Sequence, residues 1–219
     1  MTWLVIPLFN EAPVIRGVVE GARSVFPKVV CVDDGSSDAS AAEARAAGAV
    51  VVQHPINLGQ GASLRTGLDW ALGDPEAEFF VTFDADGQHD VGDARKMVEL
   101  LASQPLDVVI GSRFLDARTK VSPIKKAVLK TAVAFQRRST GLHLTDAHNG
   151  LRAFNRRAAS SIAITQNRMA HASEIVSEIS RNQLRWAEAP VHVVYTAYSR
   201  AKGQSVWNSV NILSDLFVK

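Results

Sequence analysis

Two aspartates, Asp84 and Asp86, close the apolar run Phe79-Phe80-Val81-Thr82-Phe83 and are followed by Gly87 and Gln88. Read as the tip of a strand, their i, i+2 spacing turns both carboxylates to one side, because side chains alternate across a strand. Hard oxygen donors placed together suit a divalent cation that bridges them to a ligand's diphosphate. The competing reading is a polar turn after a buried strand, where Asp and Gly are favoured for backbone reasons.

Such acids act together only if the surrounding elements place them. The first half alternates short β-branched runs with helical patterns, the signature of parallel βαβ units. Strands are predicted at Trp3 to Phe9, Lys28 to Val32, Ala49 to His54, Glu78 to Phe83 and Asp107 to Ile110. Helices are predicted at Ala12 to Val25, Ala39 to Ala47, Gln60 to Leu72 and Val91 to Ser103. Open sheets of this kind bind ligands at the carboxyl ends of their strands, so the residues after each strand carry the chemistry.

Those residues are polar at all five ends: Asn10-Glu11, Asp33-Asp34-Gly35-Ser36-Ser37-Asp38, Asn57-Leu58-Gly59-Gln60-Gly61, the Asp84 cluster, and Gly111-Ser112-Arg113. Asp33 or Asp34 can accept hydrogen bonds from a nucleobase or ribose, while Ser37, Asp38 or Ser40 can cap the next helix. Asn10 is expected mainly to cap the helix that follows it. Gly59 and Gly61 open a helix whose bare N–H groups favour phosphate, though the Walker lysine is absent.

The second half differs in charge. Residues 1 to 100 hold seven basic and fifteen acidic side chains, residues 101 to 219 seventeen and seven. The split suggests that two partners, or two ends of one anionic ligand, are handled by different halves. Val121 to Arg138 reads as a basic amphipathic helix, with Val121, Ile124, Val128 and Phe135 on one stripe and Lys126, Lys130 and Arg137 on another. It suits either an anionic membrane surface or a core contact with a wet basic face. Further elements are expected at Gly150 to Phe154 (strand), Ala172 to Asn182 (helix), Val191 to Tyr195 (strand) and Val206 to Phe217 (helix). No nucleic-acid motif or aromatic platform accompanies the basic residues, so nucleic acid is not an expected partner.

With 219 residues and 47% hydrophobic content, one ordinary globular domain with a substantial core is expected. The single cysteine, Cys31, lies in an apolar run and reads as core packing in a reducing compartment. No apolar stretch approaches the ~20 residues that span a bilayer, and no leader pattern opens the chain. A cytoplasmic protein, peripheral at the cytoplasmic face of the membrane, is the expectation.

Taken together, Val5-Ile6-Pro7-Leu8-Phe9-Asn10-Glu11, Val32-Asp33-Asp34-Gly35-Ser36-Ser37-Asp38, Asn57-Leu58-Gly59-Gln60-Gly61, Asp84-Ala85-Asp86-Gly87-Gln88 and Gly111-Ser112-Arg113-Phe114 resemble the glycosyltransferase family 2 pattern. Asp146-Ala147-His148-Asn149-Gly150-Leu151-Arg152 and Arg200-Ala201-Lys202-Gly203-Gln204-Ser205 are similar to segments of dolichol-phosphate mannosyltransferase-like and other polyprenyl-phosphate glycosyltransferases. Val206 stands where the family often has lysine after that serine, and the C-terminal membrane helices of some relatives are not in this sequence. Both departures bear on the acceptor.

The resemblance implies an α/β GT-A (Rossmann-like) fold: a mixed, mostly parallel sheet flanked by helices, as a single domain. Residues 1–112 would form the nucleotide-sugar half and 113–219 the acceptor half. It implies a nucleotide pocket of Pro7, Asn10, Glu11 and Asp34 with Asp33 nearby, to which the Gly59 and Gly61 turn adds. Asp84, Asp86 and Gln88 would hold Mg²⁺ or Mn²⁺ against the diphosphate of a UDP- or GDP-linked sugar, and inversion at the anomeric carbon follows by resemblance.

A polyprenyl phosphate acceptor is already anionic near neutral pH, so it needs cations more than a base. Arg113, Arg200 and Lys202 are the candidates, with Arg152 next and Ser205 in the same element. A sugar or protein hydroxyl acceptor would instead need a carboxylate base, for which Asp146 and Glu174 are available. His171 reads as structural. A separate membrane protein is a further candidate partner. The rival functions are the same fold acting on a hydroxyl acceptor, a sugar-nucleotide-binding module without turnover, and, more weakly, a nucleotidyltransferase.

Overall fold

The computed structural model describes residues 1–116, 118–119, 123–146, 149–195 and 198; at 123–128, 132 and 135 the description covers the backbone alone. In chain order the elements are β1 (Thr2–Leu8), α1 (Ala12–Arg23), β2 (Lys28–Asp33), α2 (Ser40–Ala46), β3 (Val50–Gln53), α3 (Gln60–Leu72) and β4 (Phe79–Thr82). There follow α4 (Val91–Ser103), β5 (Val108–Ser112), α5 (Pro123–Thr140), β6 (Arg152–Asn155), α6 (Arg156–Ser161), α7 (His171–Arg181) and β7 (Trp186–Pro190). The strands form one seven-stranded sheet in the order β3-β2-β1-β4-β6-β5-β7. Only β6 runs antiparallel to its neighbours.

Period-two alternation in the strands builds two cores, one on each face. Leu4, Ile6 and Leu8 of β1 turn toward one face with Val29, Cys31, Val81 and Val109, beneath Ile15 and Val19 of α1 and Met97 and Leu101 of α4. Trp3 and Val5 turn to the other with Val30, Phe80 and Ile110, beneath Leu64 and Leu68 of α3 and Ile175 and Ile179 of α7. Strands covered on both faces can be apolar throughout, which explains runs such as Val29-Val30-Cys31-Val32. Gly67 lets α3 close onto β1: a β-carbon there would lie 2.3 Å from Val5 Cγ1.

Helices α3 and α4 have the bounds their periodicity predicts, and the other first-half elements differ only at their ends. The second half departs from its hydrophobic pattern. The strand expected at Val191 to Tyr195 lies instead at Trp186–Pro190, where Glu188 and Pro190 break the β pattern. Its position at the sheet edge tolerates a proline. Val191 to Val194 run on from it as extended chain, with Val191 N–H donating to Ser112 O (3.0 Å) and Val194 N–H to Gln88 O (2.9 Å).

Helix α6 was not anticipated; it is a short helix started by Asn155, whose side chain accepts from Ala158 N–H. Among the described side chains of α5, Leu129 and Gln136 are buried and Val133 packs against the core, while Lys130, Arg137 and Arg138 are exposed. Of the predicted apolar stripe, Val121 and the side chains of Ile124, Val128 and Phe135 lie outside the described residues, as does the segment Val206 to Phe217.

Candidate functional site

Strand β4 stops at Thr82, and Asp84 to Gly87 form a turn beyond it. Strand alternation therefore does not aim the two acids, as the spacing alone had suggested. The turn does, helped by Gly87 at φ +73°, a conformation favourable to glycine. Asp86 Oδ1 accepts from Gln88 N–H (3.0 Å), and Gln88 is itself buried. Asp84 Oδ1 accepts from Gln60 Nε2 (3.2 Å), and Oδ2 pairs with His89 Nε2 (2.8 Å). The His89 ring stands edge-on to Phe83, with centroids 5.5 Å apart.

The electrostatics separate the two acids. Burial opposes the charge on Asp84, but His89, Arg152 and His171 hold it below the usual carboxylate range. Burial, then the neighbouring Asp84, push Asp86 up to about 6. Two carboxylates crowded in one partly buried turn carry negative charge that a hard cation would neutralise, so this donor set fits Mg²⁺ or Mn²⁺. The described residues contain no cluster of three or more His, Cys, Asp or Glu placed to hold an ion. An ion here would rest on the two acids, Gln88 and the ligand's own oxygens.

The ends of β1 and β2 are stapled by side chains. Asn10 has φ +52°; its N–H donates to Ser36 Oγ (2.9 Å) and its Oδ1 accepts from Ser37 N–H (2.9 Å). It does not cap α1, contrary to expectation. The caps come from the loop before α2 and from its first residue: Ser40 Oγ accepts from Glu11 N–H (2.7 Å) and Asp38 Oδ2 from Ala12 N–H (3.2 Å). Pro7 lies within β1, opposite Val32.

Asp33 and Asp34 are buried and serve their own loops. Asp33 accepts from Ser36 N–H (3.3 Å) and Gln53 Nε2 (3.0 Å). Asp34 accepts from Leu58 N–H (2.9 Å) and Gly59 N–H (2.7 Å) and pairs with His54 Nδ1 (2.8 Å). The expectation of bare N–H groups at the start of α3 is also corrected. Gly59 N–H is given to Asp34, and Gly61 N–H donates to the Asn167 carbonyl (2.8 Å). Both glycines admit that close approach: a β-carbon on Gly59 would sit 2.3 Å from Asn167 O, and one on Gly61 1.9 Å from Gln166 O.

The approaching loop is held by Glu174, whose carboxylate accepts from Thr165 N–H (2.9 Å), Gln166 N–H (2.9 Å) and the Thr165 hydroxyl. Beside it His171 donates from Nδ1 to Arg168 O (2.7 Å), and burial pushes its pKa down to about 4. A base candidate from the sequence is thus a loop anchor.

Asp146, the other base candidate, is fully buried; its Oδ2 accepts from Arg113 Nε (2.5 Å) and Arg113 N–H (3.2 Å). Burial disfavours the Arg113 charge, but Asp146 and Tyr195 more than restore it. Glu188 of β7 fixes the segment by accepting from Thr145 N–H (2.8 Å) and Asp146 N–H (3.1 Å).

Arg152, expected among the acceptor-binding cations, is 1% exposed on β6, between Thr82 and Ile110. Burial lowers its pKa to about 10 against the pull of Asp84 and Asp146, so it acts on the site through those two acids. Arg200, Lys202 and Ser205 lie outside the described residues. Tyr198 was missed in the sequence; its hydroxyl donates to Glu11 Oε2 (2.8 Å), and burial, then Glu11, push it up to about 12. His89 and Glu188 were missed too, because a lone histidine and a strand glutamate give no local signal.

Known proteins resemble this chain in sequence and fold. The chain is 32% identical to an uncharacterized protein of Methanocaldococcus jannaschii, over 99% of this chain and 91% of the relative. It is 29% identical to the UDP-N-acetylglucosamine–dolichyl-phosphate N-acetylglucosaminyltransferase of Methanococcus voltae, over 94% and 90%. Among solved structures, glucosyl-3-phosphoglycerate synthase from Mycobacterium tuberculosis, in complex with Mn²⁺, UDP and glucosyl-3-phosphoglycerate, superposes with a TM-score of 0.70 at 16% identity, covering 96% of this chain and 78% of that one. That likeness establishes the GT-A fold. The profile described as "Glycosyl transferase family 2" matches residues 3–162. With its acidic turn at the end of β4, this chain is a glycosyltransferase and belongs to glycosyl transferase family 2.

Proposed function

We propose that this enzyme moves a sugar from a nucleoside diphosphate sugar to a polyprenyl phosphate, as a peripheral protein at the cytoplasmic face of the membrane. One observation favours a phosphate over a hydroxyl acceptor. The two carboxylates that the sequence offers as a general base are held by other groups, Asp146 by Arg113 and Glu174 by the 165–166 loop. A phosphate whose second pKa is about 6 is already ionised near neutral pH and attacks without one. The names of relatives agree with this, among them the dolichyl-phosphate enzyme above and a polyprenol monophosphomannose synthase of Mycolicibacterium smegmatis, 29% identical over 75% of this chain and 65% of that protein.

Asp84, Asp86 and Gln88 would hold Mg²⁺ or Mn²⁺, which when bound supplies positive charge for the departing diphosphate. Pro7, Asn10 and Glu11 line the donor side, and the bonds of Asp33 and Asp34 keep its walls fixed, so little reorganisation is left to binding. Arg113, set by Asp146, would face the acceptor phosphate together with Arg200, Lys202 and Ser205. An acceptor oxygen then attacks the anomeric carbon in line. The glycosidic C–O bond breaks, its electron pair leaves with the nucleoside diphosphate, and the configuration inverts.

The test is a screen of UDP- and GDP-linked sugars with undecaprenyl phosphate in detergent, with and without Mn²⁺. Sugar label is expected in the organic phase, with Mn²⁺ only. Label confined to water-soluble products would contradict the lipid acceptor, and turnover unaffected by EDTA would contradict the metal.

A further inference from the structure

The chain that follows β7 gives four successive backbone N–H groups to four separate parts of the molecule. Val191 N–H donates to Ser112 O (3.0 Å) at the end of β5, and His192 N–H to Asp93 Oδ2 (2.8 Å) in the first turn of α4. Val193 N–H donates to Thr119 Oγ1 (2.9 Å), and Val194 N–H to Gln88 O (2.9 Å) beside the acidic turn. Buried N–H groups must be paired, and here no single strand supplies the partners. In the sheet β6 lies between β4 and β5, so Gln88 and Ser112 follow strands about 9.6 Å apart. Three residue steps reach at most about 10–11 Å. The strap from Val191 to Val194 is therefore close to full extension, and a shift at one end moves the other.

Two side chains fasten it. Asp93 is 2% exposed, and Arg118 Nη1 stands 3.0 and 2.9 Å from its two oxygens, with Lys96 Nζ at 3.4 Å. Arg118 also donates from Nη2 to Pro190 O (3.1 Å) and from Nε to Asp116 Oδ2 (2.6 Å). A rigid guanidinium fork serves these three acceptors at once, which a single ammonium does not. Burial opposes the charge on Asp93, but Arg118 and the His192 N–H hold it below the usual carboxylate range.

We infer that Asp93 and Arg118 are positioning residues for glycosyl transfer: by holding the chain from Pro190 to Val194 they fix Gln88 relative to Ser112 and its neighbour Arg113. The inference rests on the proposed reading of Asp84, Asp86 and Gln88 as the cation's ligands and of Arg113 as facing the acceptor. It names what keeps those two groups in register.

The test compares arginines at the two ends of one strand. Arg185, just before β7, donates from Nε to Asp107 (3.0 Å) and is 55% exposed; Arg118, beyond its other end, is 39% exposed. Replacing either leaves a buried carboxylate with one nearby cation, Lys96 for Asp93 and Arg157 (3.5 Å) for Asp107. Thermal midpoints of Arg118→Ala and Arg185→Ala should therefore fall by comparable amounts, and circular dichroism checks that both are folded. Calorimetry of UDP with and without Mn²⁺ gives the gain in affinity due to the cation, and transfer to undecaprenyl phosphate gives kcat.

In Arg118→Ala the gain should fall at least about fivefold and kcat at least about tenfold, as for displaced reacting groups, while metal-free UDP affinity is unchanged. In Arg185→Ala both should stay within about twofold of wild type, as for an independent site. Asp93→Asn should repeat the Arg118→Ala result, and the double variant should be no worse than the poorer single one, because both act through one strap. Should Arg118→Ala not fold, Arg118→Lys, which keeps the charge and loses the fork, carries the same expectation. An unchanged gain, equal losses in the Arg118 and Arg185 variants, or losses that add in the double variant overturn the inference and leave the proposed function intact. A wild type whose UDP affinity ignores Mn²⁺ brings down the proposed metal site, and the inference with it.

Discussion

Gly150 lies so close to Asp84 that a β-carbon built on it would stand 2.4 Å from the carboxylate Oδ2 and 2.6 Å from Oδ1. The approach is fixed from the other side by the Thr82 hydroxyl, which donates to Gly150 O (2.7 Å). A segment far along the chain thereby sets the position of an acid at the end of β4. Gly150→Ala must move that carboxylate or the backbone, at about 1–3 kcal/mol for an overpacked site. Turnover should drop about a hundredfold, as for misplaced reacting groups. Isothermal titration should show weaker Mn²⁺ binding while thermal unfolding shifts by only a few degrees; unchanged Mn²⁺ affinity would mean that the contact does not position Asp84.

The Arg113–Asp146 pair predicts a different signature. Breaking a buried ion pair leaves one charge without a partner, typically at about 3–5 kcal/mol. Asp146→Asn should therefore lower stability to urea by an amount of that order. Asp146→Leu combined with Arg113→Met should recover part of the loss yet remain inactive with a lipid phosphate. A stable, inactive Asp146→Asn would instead point to a base.

His171 gives the protein a pH-dependent stability. Its folded pKa of about 4 lies below the ~6.5 of an unfolded histidine, so the folded state binds fewer protons between those values. The stabilisation is fully present above pH ~6.5 and is lost as pH falls toward 4, amounting to about 3 kcal/mol at most. Urea midpoints measured in EDTA should decline over that window for the wild type. The decline should be shallower for His171→Phe; an identical slope would assign the acid sensitivity to other groups.

Asp86 titrates in the opposite sense. With its folded pKa raised to about 6, it favours the folded apoprotein at acid pH, and that stabilisation is lost as pH rises through 6. Metal binding needs the ionised form, so Mn²⁺ affinity should rise from pH 5 to 7 and then level off. Electron paramagnetic resonance of free Mn²⁺ follows this directly, and a flat profile would place the ion elsewhere.

Much of this was readable because local and global preferences agree in the first half. The apolar periodicity of Gln60–Leu72 and Val91–Ser103 matches what the sheet buries, and their ends fall where it stops. Strand β7 was misplaced because its role is electrostatic: Glu188 is in the strand to hold Thr145 and Asp146, which no hydrophobic pattern reveals. At the site, residue types were legible but partners were not. Asp34 looks like a ligand carboxylate until the Leu58 and Gly59 amides are seen to occupy it. Gly59 and Gly61 look like a phosphate loop until the Asn167 carbonyl is found where a phosphate oxygen was expected. Each of these contacts joins residues far apart in sequence, and spacing cannot report it.

The most direct measurement is a calorimetric titration of UDP into the wild type and into Asp84→Asn and Asp86→Asn, each with and without Mn²⁺. In the wild type Mn²⁺ should tighten UDP binding within the range of about 5–150-fold usual for coupled ligands, and either substitution should abolish that gain while weak metal-free binding persists. Equal UDP affinity with and without Mn²⁺ in the wild type, or an undiminished gain in both variants, would contradict a cation held by this acidic turn against the donor's diphosphate.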